Sequence, residues 1–160
     1  MKSIQSKGLD LNNKKILIRL DLNVPLNGAN IIDTNRIDKT IPTLQYLLKN
    51  KAKIIILSHI GRPKGKVVNE LSLKPVCDEL EKKLNQKISF IKDTFNKIKI
   101  DSHFSEKKNI VMLENLRFFK EEEMDDIIFA EKLANLADIF PIFLPIVFVR
   151  LASTIAELGL

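Results

Sequence analysis

Residues 53–63 read KIIILSHIGRP. After the first lysine, the stretch Ile54–Leu57 is apolar without alternation, which is typical of a strand covered on both faces of a parallel sheet. Polar residues and a glycine follow immediately, in Ser58–Pro63. Ligands of parallel α/β sheets bind at the carboxyl ends of the strands. This stretch therefore predicts both a central strand and one wall of a binding site.

Similar patterns recur along the rest of the chain. Other β-branched stretches of strand length are Ile16–Leu20, Lys87–Ile91 and Asn109–Leu113. Amphipathic stretches with helical spacing are Arg36–Asn50, Ser72–Asn85 and Glu121–Ala137. Pro42 predicts a helix start or a kink, and Ser72 is the expected N-cap of the second helix. This alternation predicts an α/β fold with a parallel, Rossmann-like sheet and helices on both faces.

The composition limits the class of protein. The chain has 160 residues, 45% of them hydrophobic, which is enough for one domain with a substantial core. Its one cysteine, Cys77, excludes an internal disulfide framework and favours a packing role for this side chain. The longest apolar run, Ile139–Val149, has eleven residues including two prolines, too few to span a membrane. With no signal peptide in the first residues, we expect a cytoplasmic protein without membrane contact.

The charge pattern points to an anionic partner. There are 26 basic and 20 acidic residues, for a net charge of +6. Such a balance suits phosphorylated metabolites or nucleic acid. Nucleic acid is the less favoured alternative, because there is one tyrosine, no tryptophan and no interleaved basic and aromatic motif for base stacking. Only five of the basic residues are arginines, so each arginine is a candidate for a specific contact.

Polar residues cluster after three of the four predicted strands. The three segments are Asp21–Pro25, Ser58–Pro63 and Glu114–Phe118, and Arg36 stands at the front of the first predicted helix. Arginines clamp phosphate or carboxylate in pairs of hydrogen bonds, and Gly61 would let the backbone approach a ligand. The sequence therefore predicts a site for a small anion. An Asx turn at Asp21 and a structural role for His59 remain alternatives.

The same residues resemble a known family. The segments LIRLDLNVPL, DTNRI, PTLQYLLKNKAKIIILSHIGRPKGK, LSLKPV and VMLENLRFFKEEE occur in the order and spacing of phosphoglycerate kinases. The resemblance runs from about Lys14 to Phe140. It implies that residues 1–160 are the incomplete N-terminal domain of a two-domain kinase, the domain that holds 3-phosphoglycerate.

The resemblance also implies a reaction and roles for individual residues. The family transfers a phosphoryl group reversibly between 1,3-bisphosphoglycerate and MgADP in glycolysis. Arg36 matches an arginine that is thought to stabilise the phosphoryl group in transfer, which makes it the predicted catalytic residue. The predicted substrate-binding residues are Asp21, Leu22, Asn23, Arg36, His59, Ile60, Gly61, Arg62 and Arg117. No metal ligand is predicted in the chain.

Two departures from the family pattern limit what the resemblance implies. No P-loop or glycine-rich nucleotide motif occurs, so we expect the Mg-ATP or Mg-ADP domain to be absent from this chain. A separately encoded nucleotide domain is a candidate partner. Residues 141–151 are aberrant: all but Arg150 are apolar or proline where the family has Asn-Asp and His-Arg pairs. The pattern resumes at Ala152-Ser153-Thr154, which favours two compensating frameshifts over gradual divergence. We expect Arg150 to have no substrate role, and the apolar segment to promote aggregation.

Three hypotheses about function follow. The first is a phosphoglycerate kinase half that retains its 3-phosphoglycerate pocket and is inactive by itself. The second is a catalytically silent remnant or a lone anion-binding domain. The third, suggested only by the charge, is a nucleic-acid-binding module.

Overall fold

The computed structural model of the chain describes residues 10–92, 100–105 and 108–139. Within these ranges the chain forms six strands: β1 (Lys15–Arg19), β2 (Leu26–Asn27), β3 (Asn30–Ile31), β4 (Lys53–Leu57), β5 (Ile88–Ile91) and β6 (Ile110–Leu113). The α-helices of the same ranges are α1 (Asn35–Asp38), α2 (Ile41–Lys49), α3 (Lys74–Leu84), α4 (Ile100–His103), α5 (Lys120–Glu123) and α6 (Ile127–Ala134). Strands and helices alternate, as the sequence pattern predicts.

The four longer strands form one parallel sheet in the order β1-β4-β6-β5. β4 is hydrogen-bonded on both sides, and Ile54–Leu57 are fully buried, which confirms the prediction from residues 53–63. The predicted strands agree with the observed ones to within a residue at each end. The short strands β2 and β3 form a separate antiparallel hairpin.

Two hydrophobic clusters cover the two faces of the sheet. Ile54 and Ile56 of β4 pack in one cluster with Leu44 of α2 and Leu80 of α3. Residues Ile55 and Leu57 alternate with them and pack in the other cluster, which includes residues of α4 and α6. Side chains alternate between the faces of a strand, so a strand that is apolar throughout serves both clusters. The predicted fold class, a parallel sheet with helices on both faces, is confirmed.

The predicted helical stretch Arg36–Asn50 forms two helices, and the second begins next to Pro42, where a helix start or a kink is expected. It is divided into α1, which ends at Asp38, and α2, which begins at Ile41 with Pro42 as its second residue. Proline lacks an N–H group and is tolerated in the first turn, where that donor has no partner within the helix. Of the two possibilities that Pro42 leaves open, the structure therefore contains the helix start.

The other two predicted helices also need correction. Ser72 is not the N-cap of α3, because that position belongs to Leu73, although the Ser72 hydroxyl still accepts a hydrogen bond from the N–H of Lys74 at 3.2 Å. The predicted helix Glu121–Ala137 is interrupted at Asp125, whose φ of +52° is incompatible with a right-handed helix. Asp126 then caps α6 by accepting from the N–H of Phe129 at 2.7 Å.

The described chain ends beside the free edge of β1. Ile139 forms a parallel bridge with Ile16, and its carbonyl accepts a hydrogen bond from the N–H of Leu17 at 3.0 Å. The aberrant segment 141–151, including Arg150, lies outside the described residues. Within the described ranges, no helix is long and apolar enough to cross a membrane.

Candidate functional site

The carboxyl ends of β1, β4 and β6 lie side by side, and Gly61 connects the loops that follow them. The N–H of Gly61 donates to Oδ1 of Asn23, from the β1 loop, at 3.0 Å. Its carbonyl accepts from Nη1 of Arg117, from the β6 loop, at 2.9 Å. The three polar segments that the sequence predicts at one sheet edge are thus joined through a single residue.

The backbone of Gly61 requires glycine for reasons that do not involve a ligand. Its φ is +64°, a conformation that side chains rarely adopt. A Cβ atom there would lie 2.7 Å from Cδ2 of Leu71. The side chain of Leu71 therefore occupies the Cβ direction of Gly61, and the glycine serves the turn and this close packing. The approach of its backbone to a ligand stays a prediction.

Asp21, in the loop that follows β1, forms an ion pair with Arg36 of α1. Both side chains are more than half exposed. Oδ1 of Asp21 also lies 3.4 Å from the N–H of Asn23, the contact expected of an Asx turn. The Asx-turn contact is therefore present, and Asp21 also holds an arginine beside it. Its contact with a substrate stays a prediction.

His59 is half-buried between charged groups. Burial, together with the positive charges of Arg117 and Arg19, lowers its pKa from 6.5 to about 4, and Glu122 and Asp21 oppose this shift. Nδ1 is buried without a hydrogen-bond partner among the described residues. At neutral pH the imidazole is therefore neutral, so it offers one N–H group and no charge to an anion.

A buried ion pair between Arg19 and Glu122 lies under the site, and the sequence pattern does not predict it. Nη2 of Arg19 lies 2.5 Å from Oε1 of Glu122, and both side chains are 8% exposed. Oε2 of the same glutamate lies 3.8 Å from Nε of Arg117. The rarity of arginine was a signal for Arg19. Glu122 had no signal of its own, because it is the middle of three consecutive glutamates.

Two further residues, Glu114 and Asn115, hold the loops in place. Asn115 is fully buried, and its Nδ2 donates to the carbonyls of Ile60 and Leu71 at 2.8 and 2.9 Å. Glu114 accepts from the Ser72 hydroxyl at 2.7 Å and from the N–H of Leu73 at 2.8 Å. Both residues belong to the segment that the sequence marks as a strand end, but their role is to fasten the β4 loop and the start of α3.

The remaining predicted residues differ in exposure. The side chains of Leu22 and Ile60 lie in the core, so the prediction that they contact a substrate rests on their backbone atoms. Arg62 is exposed and has no hydrogen-bond or ion-pair partner within the described part of the chain.

A separate groove of about 1070 Å³, between the β2–β3 hairpin and α3, contains none of the predicted site residues.

Comparison with known proteins places this geometry in a family. The family model described as phosphoglycerate kinase matches residues 6–141, most of the chain. The chain belongs to the phosphoglycerate kinase family. The phosphoglycerate kinase of Wolbachia pipientis wMel is 50% identical over 132 residues, which are 82% of this chain and 33% of that protein. The corresponding protein of Moorella thermoacetica is 43% identical over 141 residues, 88% of this chain and 36% of its own length.

Solved phosphoglycerate kinase structures share the fold. The structure from Coxiella burnetii has a TM-score of 0.72 at 39% identity, covering 83% of this chain and 33% of that one. The structure from Pyrococcus horikoshii OT3 has the same TM-score at 27% identity, and the match covers 88% of this chain and 36% of that one. The chain thus spans about a third of the length of its phosphoglycerate kinase relatives. Family membership and the fold are confirmed, and the substrate contacts of single residues remain predictions.

Proposed function

We propose that these residues form the half of a phosphoglycerate kinase that binds 3-phosphoglycerate or 1,3-bisphosphoglycerate. The observation that carries the proposal is the joining of three strand-end loops at Gly61, which contacts both Asn23 and Arg117 and lies two positions after His59. These side chains belong to the motifs that match the family. Two carboxylates at this edge, Asp21 and Glu122, are already paired with arginines, which reduces their competition with a bound anion.

Each arginine has a distinct task in this proposal. Nη2 of Arg117 makes no hydrogen bond within the described residues, whereas Nη1 is held by the carbonyl of Gly61, so the guanidinium has donors to spare. Arg62 is exposed and unpaired in the same part of the structure and can reach an anion from the adjacent loop. Charge-assisted bonds from such groups to phosphate or carboxylate are stronger than bonds between neutral groups.

Arg36 is the residue to which we assign a catalytic part. Its ion pair with Asp21 keeps the guanidinium beside the β1 loop, where it can neutralise charge on a phosphoryl group in transfer. Phosphoryl transfer depends mainly on such positioning and electrostatic stabilisation, because the protein takes little covalent part. The proposal therefore has Arg36 acting on the reacting group and Arg62 and Arg117 acting on the rest of the substrate.

The Mg-nucleotide of the family has no assigned residue in this chain. In the described ranges no three His, Cys, Asp or Glu side chains come together as a metal-ion site. We propose that the 160-residue polypeptide binds the phosphoglycerate substrate and needs a separately supplied nucleotide domain as its partner for phosphate transfer. We propose the cytoplasm as the location, because that is where glycolytic substrates occur.

Isothermal titration calorimetry with 3-phosphoglycerate tests the binding proposal. We expect weak but saturable binding by the 160-residue chain, with glycerate and inorganic phosphate each binding more weakly than the compound that carries both groups. Equal affinity for phosphate and 3-phosphoglycerate would favour a general anion-binding domain instead. The absence of any binding by the folded chain would contradict the proposal and favour the silent remnant.

A coupled assay for ATP formation from 1,3-bisphosphoglycerate tests the catalytic part. We expect no activity from the 160-residue chain, and activity only when the remaining two thirds of a relative is added as a second polypeptide. Turnover by the chain alone would show that it needs no separate nucleotide domain.

A further inference from the structure

Glu122 is the one acidic side chain in the described ranges that is buried, and it lies between two arginines. Its neighbours in α5, Glu121 and Glu123, are exposed. Burying a carboxylate costs free energy unless the charge is paired. Each of the two Glu122 oxygens faces a different arginine, and these contacts offset that cost.

Arg117 is held at two points. Nη1 donates to the carbonyl of Gly61 at 2.9 Å, and Nε lies 3.8 Å from Oε2 of Glu122. The guanidinium group is planar and rigid, so one hydrogen bond and one ion-pair contact together restrict the direction of the third nitrogen, Nη2. Without the carboxylate, Arg117 would keep only the Gly61 contact and could rotate about it.

Arg19 adds a second consequence. Glu122 neutralises this buried arginine, so the positive charge facing His59 is smaller than the arginines alone would produce. One carboxylate therefore balances the charge under the site and orients the arginine at its surface. We infer that Glu122 is a positioning residue for the anion site, acting through the guanidinium of Arg117. The inference rests on the proposed function, because it concerns the same site.

A role through charge and a role in positioning Arg117 predict opposite changes in anion affinity for Glu122→Gln. The inference can therefore be tested with this variant. If the glutamate acted only through its charge, its removal would strengthen the binding of an anion. If it positions Arg117, the glutamine keeps its one oxygen against the closer arginine, Arg19 at 2.5 Å, and places its amide NH₂ against Nε of Arg117, which loses its acceptor. We expect 3-phosphoglycerate to bind about tenfold more weakly, the loss of roughly one charge-assisted contact.

Glu121→Gln and Glu123→Gln are matched controls, because each removes the same charge from the same helix at an exposed position. We expect both to bind 3-phosphoglycerate as tightly as the unchanged chain, or slightly more tightly. Glu122→Asp keeps the charge but withdraws the carboxylate, so its affinity should lie between those of the unchanged chain and Glu122→Gln. If Glu122→Gln does not fold, the affinity of Glu122→Asp for 3-phosphoglycerate is the test. An affinity equal to that of the unchanged chain would then overturn the inference.

A double-mutant cycle separates positioning from other effects. In an Arg117→Ala background, Glu122→Gln should cause no further loss of affinity. An equal loss in both backgrounds, or unchanged or tighter binding by Glu122→Gln alone, would overturn the inference.

The rotation of the Arg117 guanidinium about its Nε–Cζ bond, measured by ¹⁵N NMR, tests the contact without a ligand. We expect slower rotation in the unchanged chain, where Nη1 is bonded to Gly61 and Nε faces Glu122, than in Glu122→Gln. If the unchanged chain binds no 3-phosphoglycerate, the proposed function fails, but this rotation rate still tests the role of Glu122. Equal rotation rates in the two proteins would overturn the inference whatever the binding result.

Discussion

The side chain of Asn115 brackets the peptide groups of Ile60. Nδ2 of Asn115 donates to the Ile60 carbonyl at 2.8 Å, and Oδ1 lies 3.4 Å from the Ile60 N–H. The two residues are 55 positions apart in the chain and follow neighbouring strands, β4 and β6. One amide therefore couples the loop that carries His59 and Gly61 to the loop that carries Arg117.

Replacing Asn115 with alanine should destabilise the protein by about 2–4 kcal/mol, because it leaves several buried backbone groups without partners. The free energy of unfolding from urea denaturation measures this loss. Asn27→Ala, in the exposed β2–β3 hairpin, is the control and should change stability by less than about 0.5 kcal/mol. A similar effect for the two variants would mean that the Asn115 hydrogen bonds contribute little.

Gly61→Ala should destabilise the protein more than Gly28→Ala. Both glycines have positive φ, +64° and +59°, so both variants incur the backbone strain of about 1–3 kcal/mol. Only at Gly61 would the new Cβ meet Leu71, at 2.7 Å from its Cδ2, whereas nothing lies within 4 Å at Gly28. We expect thermal denaturation to show the larger loss for Gly61→Ala. Adding Leu71→Ala should remove part of the difference, and equal losses for the two glycines would contradict the packing argument.

Arg117→Ala and Arg62→Ala should each weaken 3-phosphoglycerate binding by about 1.5–3 kcal/mol, or roughly 10- to 150-fold. Each change removes a charge-assisted contact of the proposed site, and calorimetric titration measures the loss. Arg117→Lys should recover only part of the affinity, because lysine keeps the charge but lacks the planar fork. Lys49→Ala, at the exposed end of α2, is the control for net charge. Losses as large in that control would assign the effect to overall charge.

Acidification should destabilise the protein through His59. The unfolded chain binds a proton near pH 6.5, whereas burial and the adjacent arginines keep the folded imidazole neutral down to about pH 4. Since the unfolded state binds more protons between these values, the free energy of unfolding should fall as the pH is lowered through this window. His59→Gln should reduce that slope, measured by urea denaturation at several pH values. His103→Gln, at the other histidine, is the control, and an unchanged slope in His59→Gln would contradict the prediction.

Much of the fold could be predicted because its signals are local. Four strands were predicted to within a residue from uninterrupted β-branched runs, and Pro42 marks a helix start through the chemistry of its own ring. The break at Asp125 could not be predicted, since no glycine or proline marks it and the positive φ occurs at an ordinary acidic residue. Ser72 is likewise predicted as the cap, but Leu73 holds that position, and the Ser72 hydroxyl, which accepts from the N–H of Lys74, also donates to Glu114, 42 positions away.

The amino-acid sequence by itself determined the family, the parallel sheet and the set of candidate anion contacts, because each depends on short motifs whose order and spacing survive in the linear chain. Only the tertiary structure decided how those contacts are held. Of three consecutive glutamates, only Glu122 is buried, and it is paired with Arg19, 103 positions earlier. Burial and ion pairing depend on which distant segments meet, and that is a property of the packed sheet and helices rather than of any single motif.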